Sequence, residues 1–588
     1  MTDTKQSRLT ATLLCVTPPD EHQEQGIRAF LQKKYGEDVT LTIQQDSSLK
    51  SGFQLHVGSE VYDWSAKGRM EQFRQQVEQL VAKNTRKDII PLLRSSIDEF
   101  RLLAKSSEVG TVKSIGDGIA VVEGLEHAAY GEILMFDNGI KGMVQDLRRN
   151  ETGCILFDNA DDISAGSKVA RTGKTAGVPV GDAFLGRVVD ALGRPIDGGD
   201  AIPADGYRPV EEPAPGIIDR QSVDTPMETG LLSIDAMFPI GRGQRELIIG
   251  DRQTGKTAIA LDAMLNQKGK NVICVYVAIG QKASSVAQLV ENLRKRDTMD
   301  YCVVVSATAG EADTMQYIAP YAGCAMAEYY MHKGRDVLIV YDDLSKHAIA
   351  YRAMSLLLER APGREAYPGD VFYLHSRLLE RSAHLSDKLG GGSMTALPIV
   401  ETQAGDVSAY IPTNIISITD GQIFLESDLF FAGQRPAVNV GLSVSRVGGA
   451  AQTKATKKAT GSLRLNLAQY REMEVFTQFS SDLDDSTKEQ LHYGQGLMRI
   501  LRQKQYHPLS MHQQVIVLVC AMGHVLSKVA VKDVTDFRDA LLDHFEQEHS
   551  DLCRSLEDEK VLTDDMKQEI LRIAEEYLAA NAERFRKE

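Results

Sequence analysis

The chain has 588 residues, of which 43% are hydrophobic and 25% are charged, a composition typical of soluble globular proteins. This length predicts three to five domains. A formal net charge of −15 argues against nucleic acid as the main partner. The seven cysteines include no C-x-x-C pair, so neither a metal site nor a disulfide framework is expected, and scattered thiols favour a reducing compartment.

The sequence shows no pattern of a membrane-inserted segment. The N-terminal stretch MTDTKQSR is polar and contains no signal-peptide core. The longest apolar run, residues 515–522, is too short to cross a bilayer. We therefore expect any association with a membrane to come through partner proteins.

Strand and helix patterns alternate through the first part of the chain. Apolar residues with strand spacing occur at 13–16, 39–43 and 53–57. Apolar residues with helical spacing occur at 27–35 and 70–80. Together these patterns predict a small α/β domain at the start of the chain.

A different pattern follows this domain. Apolar residues from Ile90 to Phe100 have helical spacing and predict a linker helix. Short strand patterns separated by glycines then extend from about Val109 to Val180 and predict a small β-barrel. The sequence TGKT at 172–175 imitates a phosphate loop, but it lacks the first glycine and a preceding buried strand, so we interpret it as a turn at the barrel edge.

A complete phosphate-loop motif, GDRQTGKT, occupies residues 250–257 between an apolar strand pattern and a helical pattern. Its backbone N–H groups and the helix N-terminus would surround phosphates. Lys256 would reach the β- and γ-phosphates, and the Thr257 hydroxyl would bind Mg²⁺. The motif predicts a nucleoside triphosphate site. The predicted phosphate-loop residues are Gly250, Asp251, Arg252, Gln253, Thr254, Gly255, Lys256, Thr257 and Ala258.

Three apolar runs around this motif predict parallel strands that are buried on both faces. They lie at 272–277, 302–305 and 337–341, and helical stretches separate them. The third run ends at Asp342, in the position of a carboxylate that holds Mg²⁺ beside a phosphate loop. The alternative role for Asp342 is a cap on the helix that follows. We favour the magnesium role because a buried strand precedes this residue.

The remaining sequence, after about residue 450, has helical patterns throughout. The expected fold is therefore multidomain and contains a small α/β domain, a β-barrel, a P-loop α/β core with a parallel sheet, and an α-helical bundle. The predicted boundaries are 1–84 for the α/β domain, 85–107 for the linker helix, 108–180 for the barrel, 181–450 for the core and 451–588 for the bundle.

Several long strings identify a family resemblance. From about Ile90 to the C-terminus, the chain resembles the α subunit of F-type ATP synthases, which implies a RecA-like core, bound ATP and Mg²⁺. The strings that carry this resemblance lie at 241–257, 277–284, 321–326, 341–346, 362–370 and 443–449.

The first part of the chain resembles a different subunit of the same complex. The strings at 46–53, 57–58 and 62–69 are similar to the C-terminal domain of the bacterial δ subunit, and this resemblance covers roughly residues 8–83. It implies that the domain links the complex to the b subunit of the peripheral stalk. An unrelated α/β appendage is the alternative.

The resemblance to α subunits also implies roles for individual residues. The catalytic β subunit carries a carboxylate after its second core strand, where this chain has Gln281. An amide cannot accept a proton from water, so we expect the bound nucleotide to persist. Arg446 matches the arginine finger that acts on the neighbouring β site. Residues matching the adenine-side contacts of α subunits are Arg435, Pro436, Gln503 and Gln505.

Four classes of function fit parts of this pattern: a regulatory ATP-binding α subunit, a self-sufficient ring ATPase, an RNA-translocating ring helicase and a stator scaffold. Gln281 and Arg446 favour the first class over the second, and the negative charge argues against the third. The first and fourth are compatible in one chain. The resemblance implies a ring of three such chains alternating with three β subunits, a γ subunit facing residues 402–406, and a peripheral location on the cytoplasmic face of the bacterial inner membrane.

Overall fold

The structure is a computed structural model, and it describes residues 10–19, 21–35, 39–49, 51–58, 60–65, 68, 106–136, 139–157, 163–477 and 485–585. The chain divides into two compact units, Met1–Ala176 and Gly177–Glu588. The predicted helix at 70–80 and the predicted linker helix up to residue 105 lie outside the described residues.

The first unit begins with an α/β domain, as predicted. Its elements are β1 (Thr10–Cys15), α1 (Glu21–Tyr35), β2 (Thr40–Gln45), β3 (Phe53–Val57) and β4 (Glu60–Asp63). β1 pairs parallel with β2 and antiparallel with β3, which in turn pairs with β4. The predicted apolar face of α1 packs into the core of this domain through Leu31, with Ile27, Phe30 and Tyr35 around it.

The residues that resemble a δ subunit form tight turns in this domain. A Cβ atom on Gly52, which has φ +86°, would lie 2.2 Å from the backbone oxygen of Trp64. The Asp63 carboxylate accepts from the backbone N–H of Ser65 at 2.8 Å, and the Ser65 hydroxyl accepts from the N–H of Gly68 at 3.2 Å. Position 52 therefore requires a residue without a side chain. Positions 63 and 65 require short polar side chains that can bind the backbone of the turn.

The second part of this unit is a closed six-stranded barrel. Its strands are β5 (Ser106–Gly116), β6 (Ile119–Glu123), β7 (Glu132–Phe136), β8 (Lys141–Leu147), β9 (Glu151–Leu156) and β10 (Lys168–Thr175). They are ordered β5-β6-β9-β8-β7-β10, and β10 closes the barrel by pairing with β5. The TGKT sequence at 172–175 lies at a register shift of β10 against β7, where Gly173 has φ +66°.

Two of the predicted boundaries differ from the structure. Ser106 and Ser107, assigned to the linker helix, belong to β5, which also pairs with β4. Strand β11 (Gly177–Val180), assigned to the barrel, belongs to the second unit, where it pairs with β13 (Gly206–Pro209). Strand pairing decides both boundaries, and local sequence patterns do not reveal the partner of a strand.

The core of the second unit is an eight-stranded sheet. Its strands are β12 (Val188–Val189), β14 (Leu247–Gly250), β15 (Val272–Gln281), β16 (Cys302–Thr308), β17 (Asp336–Asp342), β18 (Ser393–Glu401), β19 (Gly421–Leu425) and β20 (Val444–Ser445). Their order is β12-β16-β15-β17-β18-β14-β19-β20, and every pair is parallel except β19 with β20. The three predicted strands are confirmed as β15, β16 and β17.

Helices surround this sheet and form the C-terminal region. Those of the core are α2 (Leu232–Met237), α3 (Lys256–Leu265), α4 (Ala283–Arg294), α5 (Asp313–Met331), α6 (Leu344–Leu357), α7 (Val371–Leu379), α8 (Tyr410–Ile418) and α9 (Ser427–Phe431). Those of the C-terminal region are α10 (Lys454–Thr460), α11 (Leu463–Thr477), α12 (Asp485–Ile500), α13 (Met511–Met522), α14 (Val534–Glu548), α15 (Ser550–Glu559), α16 (Asp564–Ala580) and α17 (Ala582–Phe585).

The predicted helical bundle and its apolar positions are present in this region. Leu463, Leu467, Ile570, Ala574 and Leu578 are buried in one hydrophobic core. Across the described residues, no helix is both long enough and apolar enough to cross a membrane.

A buried ion pair joins α5 to the segment after α7. The Arg381 side chain donates to both carboxylate oxygens of Glu328 at 2.7 Å, and both residues are almost completely buried. Arg381 also donates to the backbone oxygen of Val210 at 2.6 Å. Removing one partner of such a pair leaves the other charge buried and uncompensated.

We predict that Glu328→Gln lowers the free energy of unfolding of the second unit by about 3–5 kcal/mol, because the Arg381 charge loses its counterion. Guanidinium denaturation followed by far-ultraviolet circular dichroism measures this change. Trp64, the only tryptophan of the chain, reports unfolding of the first unit separately by fluorescence. Glu569→Gln, which removes an exposed pair with Arg572, is the matched control and should leave the transition unchanged. An equal shift in both variants would contradict the prediction.

Candidate nucleotide-binding site

The carboxyl ends of three parallel strands bring the predicted phosphate and magnesium residues together. β14 leads into the phosphate loop and α3, β15 ends at Gln281, and β17 ends at Asp342. β18 lies between β14 and β17 and ends at Glu401. Because parallel strands present their carboxyl ends at the same edge of a sheet, side chains from separate parts of the sequence share one site.

The phosphate loop wraps around the amino group of Lys256. Its Nζ donates to the backbone oxygens of Gly250 at 3.0 Å and Asp251 at 2.6 Å. Gly255 precedes α3 with φ 95°, and Gln253 has φ 63°, so the loop turns through left-handed conformations. Burial lowers the pKa of Lys256, and four nearby carboxylates oppose this shift. The amino group is thus held at the start of a helix whose free N–H groups favour an anion.

The two predicted magnesium residues are in direct contact. The Thr257 hydroxyl donates to the Asp342 carboxylate at 2.7 Å, and the Tyr276 hydroxyl donates to the same oxygen at 2.5 Å. The sequence alternatively predicts that Asp342 caps the helix that follows, but the cap is Asp343. The Asp343 carboxylate accepts from the backbone N–H of Lys346 at 2.9 Å. A hydroxyl and a carboxylate oxygen side by side form a donor set that fits Mg²⁺.

Gln281 lies next to this pair. Its Nε2 donates to the Asp342 carboxylate at 3.1 Å and to the Asp342 backbone oxygen at 3.3 Å. The turn that places Gln281 depends on Gly280, which has φ +59° and whose added Cβ would lie 2.7 Å from the Gln316 side chain. The Gln281 amide nitrogen therefore points at the Asp342 carboxylate, and the amide oxygen is the atom that can accept a hydrogen bond.

These residues line an open cavity of about 790 Å³, a volume within the usual range for ligand pockets. Among the predicted site residues, the cavity is lined by Gln253, Thr254, Gly255, Lys256, Thr257, Ala258, Gln281, Asp342, Arg435, Pro436, Gln503 and Gln505.

Three predicted phosphate-loop residues do not line the cavity. Gly250 contributes its backbone oxygen to Lys256. The Asp251 carboxylate accepts from the Thr402 hydroxyl at 2.6 Å and the Ser427 hydroxyl at 3.0 Å. The exposed Arg252 side chain pairs with Glu401 at 3.1 Å. These contacts hold the loop in place, so Asp251 and Arg252 support the phosphate loop from outside the cavity.

The predicted adenine-side residues line another part of the same cavity. The Arg435 guanidinium lies 4.4 Å from the centroid of the Phe430 ring, in cation–π geometry. The Gln503 amide nitrogen donates to the backbone oxygens of Gly230 at 2.7 Å and His507 at 2.9 Å. Gln503 therefore ties its loop to the core, whereas Gln505 is exposed. Recognition of adenine by the two glutamines stays a prediction.

Sequence reasoning missed several residues that line the cavity. Burial raises the pKa of Asp262 to about 6, and its carboxylate accepts from the backbone N–H of Tyr506 at 2.8 Å. Glu401 also lines the cavity, because it ends the parallel strand β18. The apolar pattern of β18 does not show where that strand ends, so the sequence alone did not predict Glu401 as a site residue. The further lining residues with cationic side chains are Arg499, Arg502, Lys504 and Lys532.

Arg446 lies at the other end of the sheet. It follows β20, whose Ser445 pairs with Gly421 at the start of β19, and its backbone N–H donates to the Asp420 backbone oxygen at 2.8 Å. The phosphate loop begins where β14 and β19 end, four residues or about 13 Å further along β19 at 3.3 Å per residue. The Arg446 side chain is exposed, and it makes no ion pair with any residue that the structure describes.

Comparison with known families agrees with this architecture. Residues 230–445 match the nucleotide-binding domain of the ATP synthase alpha/beta family, 105–173 match its beta-barrel domain, and 452–577 match its C-terminal domain. Residues 1–77 match the ATP synthase delta (OSCP) subunit.

Individual relatives extend the match to most of the chain. The chain is 57% identical to an ATP synthase subunit alpha of Clostridium botulinum over 483 residues, which cover 82% of this chain and 96% of the relative. It is 56% identical to an ATP synthase subunit alpha of Clostridium kluyveri over 490 residues, which cover 83% and 97%. The chain therefore belongs to the family of ATP synthase α subunits, and it carries a δ (OSCP) domain ahead of the region shared with them.

Proposed function

We propose that this chain is a regulatory, non-catalytic ATP-binding α subunit of a membrane-bound, ion-translocating F-type ATP synthase. The observation that carries the proposal is the Gln281 amide, which donates to Asp342 at the end of β15. Lys256 and the phosphate loop would bind the triphosphate, and Thr257 and Asp342 would hold Mg²⁺, which neutralises phosphate charge when bound. Gln281 can orient a water molecule, but it cannot take its proton, so the nucleotide persists.

The alternative is a self-sufficient ring ATPase of the same fold. Glu401 favours it, because this carboxylate lines the cavity and a carboxylate is the usual residue that activates water. One contact argues against this role: the Glu401 carboxylate forms an ion pair with Arg252 at 3.1 Å. The ion pair engages the carboxylate that would otherwise contact a water molecule.

The position of Arg446 supports a role at a neighbouring site. Its side chain is exposed at the end of the sheet opposite the phosphate loop of its own chain, which suits an arginine that acts in trans. A planar guanidinium can stabilise the charge that develops on a transferring phosphoryl group. We assign Arg446 as the finger that acts on the nucleotide site of the adjacent β subunit.

The assembly that follows from this function is a ring in which three such chains alternate with three β subunits. Residues 402–406 would face the γ subunit, and the N-terminal domain would bind the b subunit of the peripheral stalk. Such a complex would place this chain on the cytoplasmic face of the bacterial inner membrane, attached only through its partners. The match of residues 1–77 to the delta (OSCP) subunit supports the stalk contact.

The first prediction concerns hydrolysis at the site of this chain. The purified full-length chain should bind Mg-ATP and hydrolyse it negligibly, because Gln281 cannot act as a base. Lys256→Ala should abolish binding, which a fluorescent ATP analogue measures. Glu401→Gln is the control that separates the two functions. Sustained phosphate release by the pure chain that disappears in both Lys256→Ala and Glu401→Gln would establish the alternative.

The second prediction concerns Arg446. In the assembled complex, Arg446→Lys should lower ATP turnover at least about a hundredfold, because lysine keeps the charge but loses the planar fork. Nucleotide binding at the site of this chain should change little. Arg149→Lys, at an exposed position of the barrel, is the matched control and should have normal turnover. Normal turnover of a correctly assembled Arg446→Lys complex would refute the finger role.

The third prediction concerns the N-terminal domain. Deleting residues 1–83 should leave Mg-ATP binding, ring assembly and ATP hydrolysis by the detached ring intact, because the second unit holds the nucleotide site. ATP-driven ion pumping by the membrane complex should fall, since the ring would no longer be held against rotation. The fluorescence of a dye that responds to membrane potential in vesicles measures pumping of either H⁺ or Na⁺. A truncated chain that fails to fold, or pumping equal to that of the full-length complex, would contradict a stator role.

A further inference from the structure

The C-terminal helical region contains a cluster of metal-binding residue types outside the nucleotide cavity. His512 lies at the start of α13, Glu546 lies in the last turn of α14, and Cys553 lies in α15. One ligand atom from each lies within 4.8 Å of the other two. His512 is partly buried and Cys553 is buried, whereas Glu546 is exposed and opens the cluster to solvent.

The distances suit a zinc ion after small side-chain adjustments. Tetrahedral zinc with bonds of about 2.0–2.3 Å holds its ligand atoms roughly 3.3–3.8 Å apart. The His512 Nε2 and Glu546 Oε1 atoms are 2.8 Å apart, so they would separate by about 0.5 Å to admit the ion. A thiolate and an imidazole favour Zn²⁺ over Mg²⁺ or Ca²⁺, which prefer oxygen ligands.

A fourth residue provides the support that zinc-binding histidines usually have. Glu557 lies 2.8 Å from His512 Nδ1, and it also accepts from the His512 backbone N–H at 3.1 Å. Histidines that bind zinc commonly donate their second ring N–H to a carboxylate, which fixes the ring and its tautomer. With the proton on Nδ1, the Nε2 lone pair is free for a metal. The Ser510 hydroxyl lies 3.1 Å from Nδ1, and the Gln513 amide donates to Glu546 at 3.0 Å.

We propose that His512 Nε2, the Glu546 carboxylate and the Cys553 thiolate form a Zn²⁺ site that joins three helices of the C-terminal region. Glu557 orients the His512 ring, and solvent completes the coordination at the exposed side. On binding, the Cys553 thiol releases its proton to solvent, so that one thiolate and one carboxylate balance the charge of the ion. This inference departs from the expectation drawn from cysteine spacing, because the ligands come from separate helices.

The same residues have a simpler arrangement without metal. A protonated His512 would pair with both Glu546 and Glu557, and Cys553 would be a buried thiol that donates to the Phe545 backbone oxygen at 3.6 Å. The two arrangements differ at Cys553. The zinc site uses its thiolate, whereas the ion pairs of His512 with Glu546 and Glu557 do not involve it. A test at this residue therefore separates them.

The experiment is a Co²⁺ titration of the chelator-treated, full-length chain in the absence of nucleotide. Cobalt replaces zinc in such sites, and its bond to a thiolate gives a near-ultraviolet charge-transfer absorption. We expect this band to saturate at one cobalt per chain and to disappear when Zn²⁺ is added. Because no nucleotide is present, the result does not depend on the proposed function.

Two variants and one control decide the outcome. Cys553→Ser should lose the band, and Glu557→Gln should keep it with affinity reduced about 10- to 100-fold. Cys15→Ser, at a buried thiol of the N-terminal domain, should bind cobalt like the unmodified chain. Circular dichroism verifies that each variant is folded. The absence of a band in the unmodified chain, or an unchanged band in Cys553→Ser, would overturn the zinc site. Unchanged affinity in Glu557→Gln would overturn the role of Glu557.

Discussion

The hydrogen bond between Thr257 and Asp342 depends on the parallel arrangement of the core sheet. These two residues are far apart in the sequence. Thr257 follows β14, Asp342 ends β17, and β18 lies between these two strands. They meet because all strands of this sheet except β20 run in the same direction, so that their carboxyl ends form one edge. The phosphate loop, Gln281 and Glu401 lie at this edge for the same reason. Open parallel sheets usually bind their ligands at this edge.

The same geometry separates two groups of residues at opposite ends of the sheet. The carboxyl edge carries the nucleotide cavity, and the opposite end carries the exposed Arg446. A residue that follows β20 antiparallel to β19 cannot return to the phosphate loop of its own chain, because the length of β19 lies between them. The nucleotide cavity and Arg446 therefore lie at different surfaces of the same chain.

The charges around the cavity are balanced by contacts within the chain. Lys256 is bound by carbonyl oxygens of its own loop, and Arg252 is paired with Glu401. Burial raises the pKa of Asp343 to about 6, while Lys346 opposes this shift. These contacts keep the groups satisfied and in position.

Continuous apolar runs predicted β14, β15, β16 and β17, because strands buried on both faces need continuous apolar sequence. The spacing of the phosphate loop predicted Lys256 and Thr257, because the residues of that motif are adjacent in the sequence. The barrel boundary at β11, the Gln503 contacts to backbone and the Glu401 pair with Arg252 depended on residues distant in sequence. Local patterns carry no information on such contacts, so only the folded chain revealed them, together with the three-helix cluster around His512.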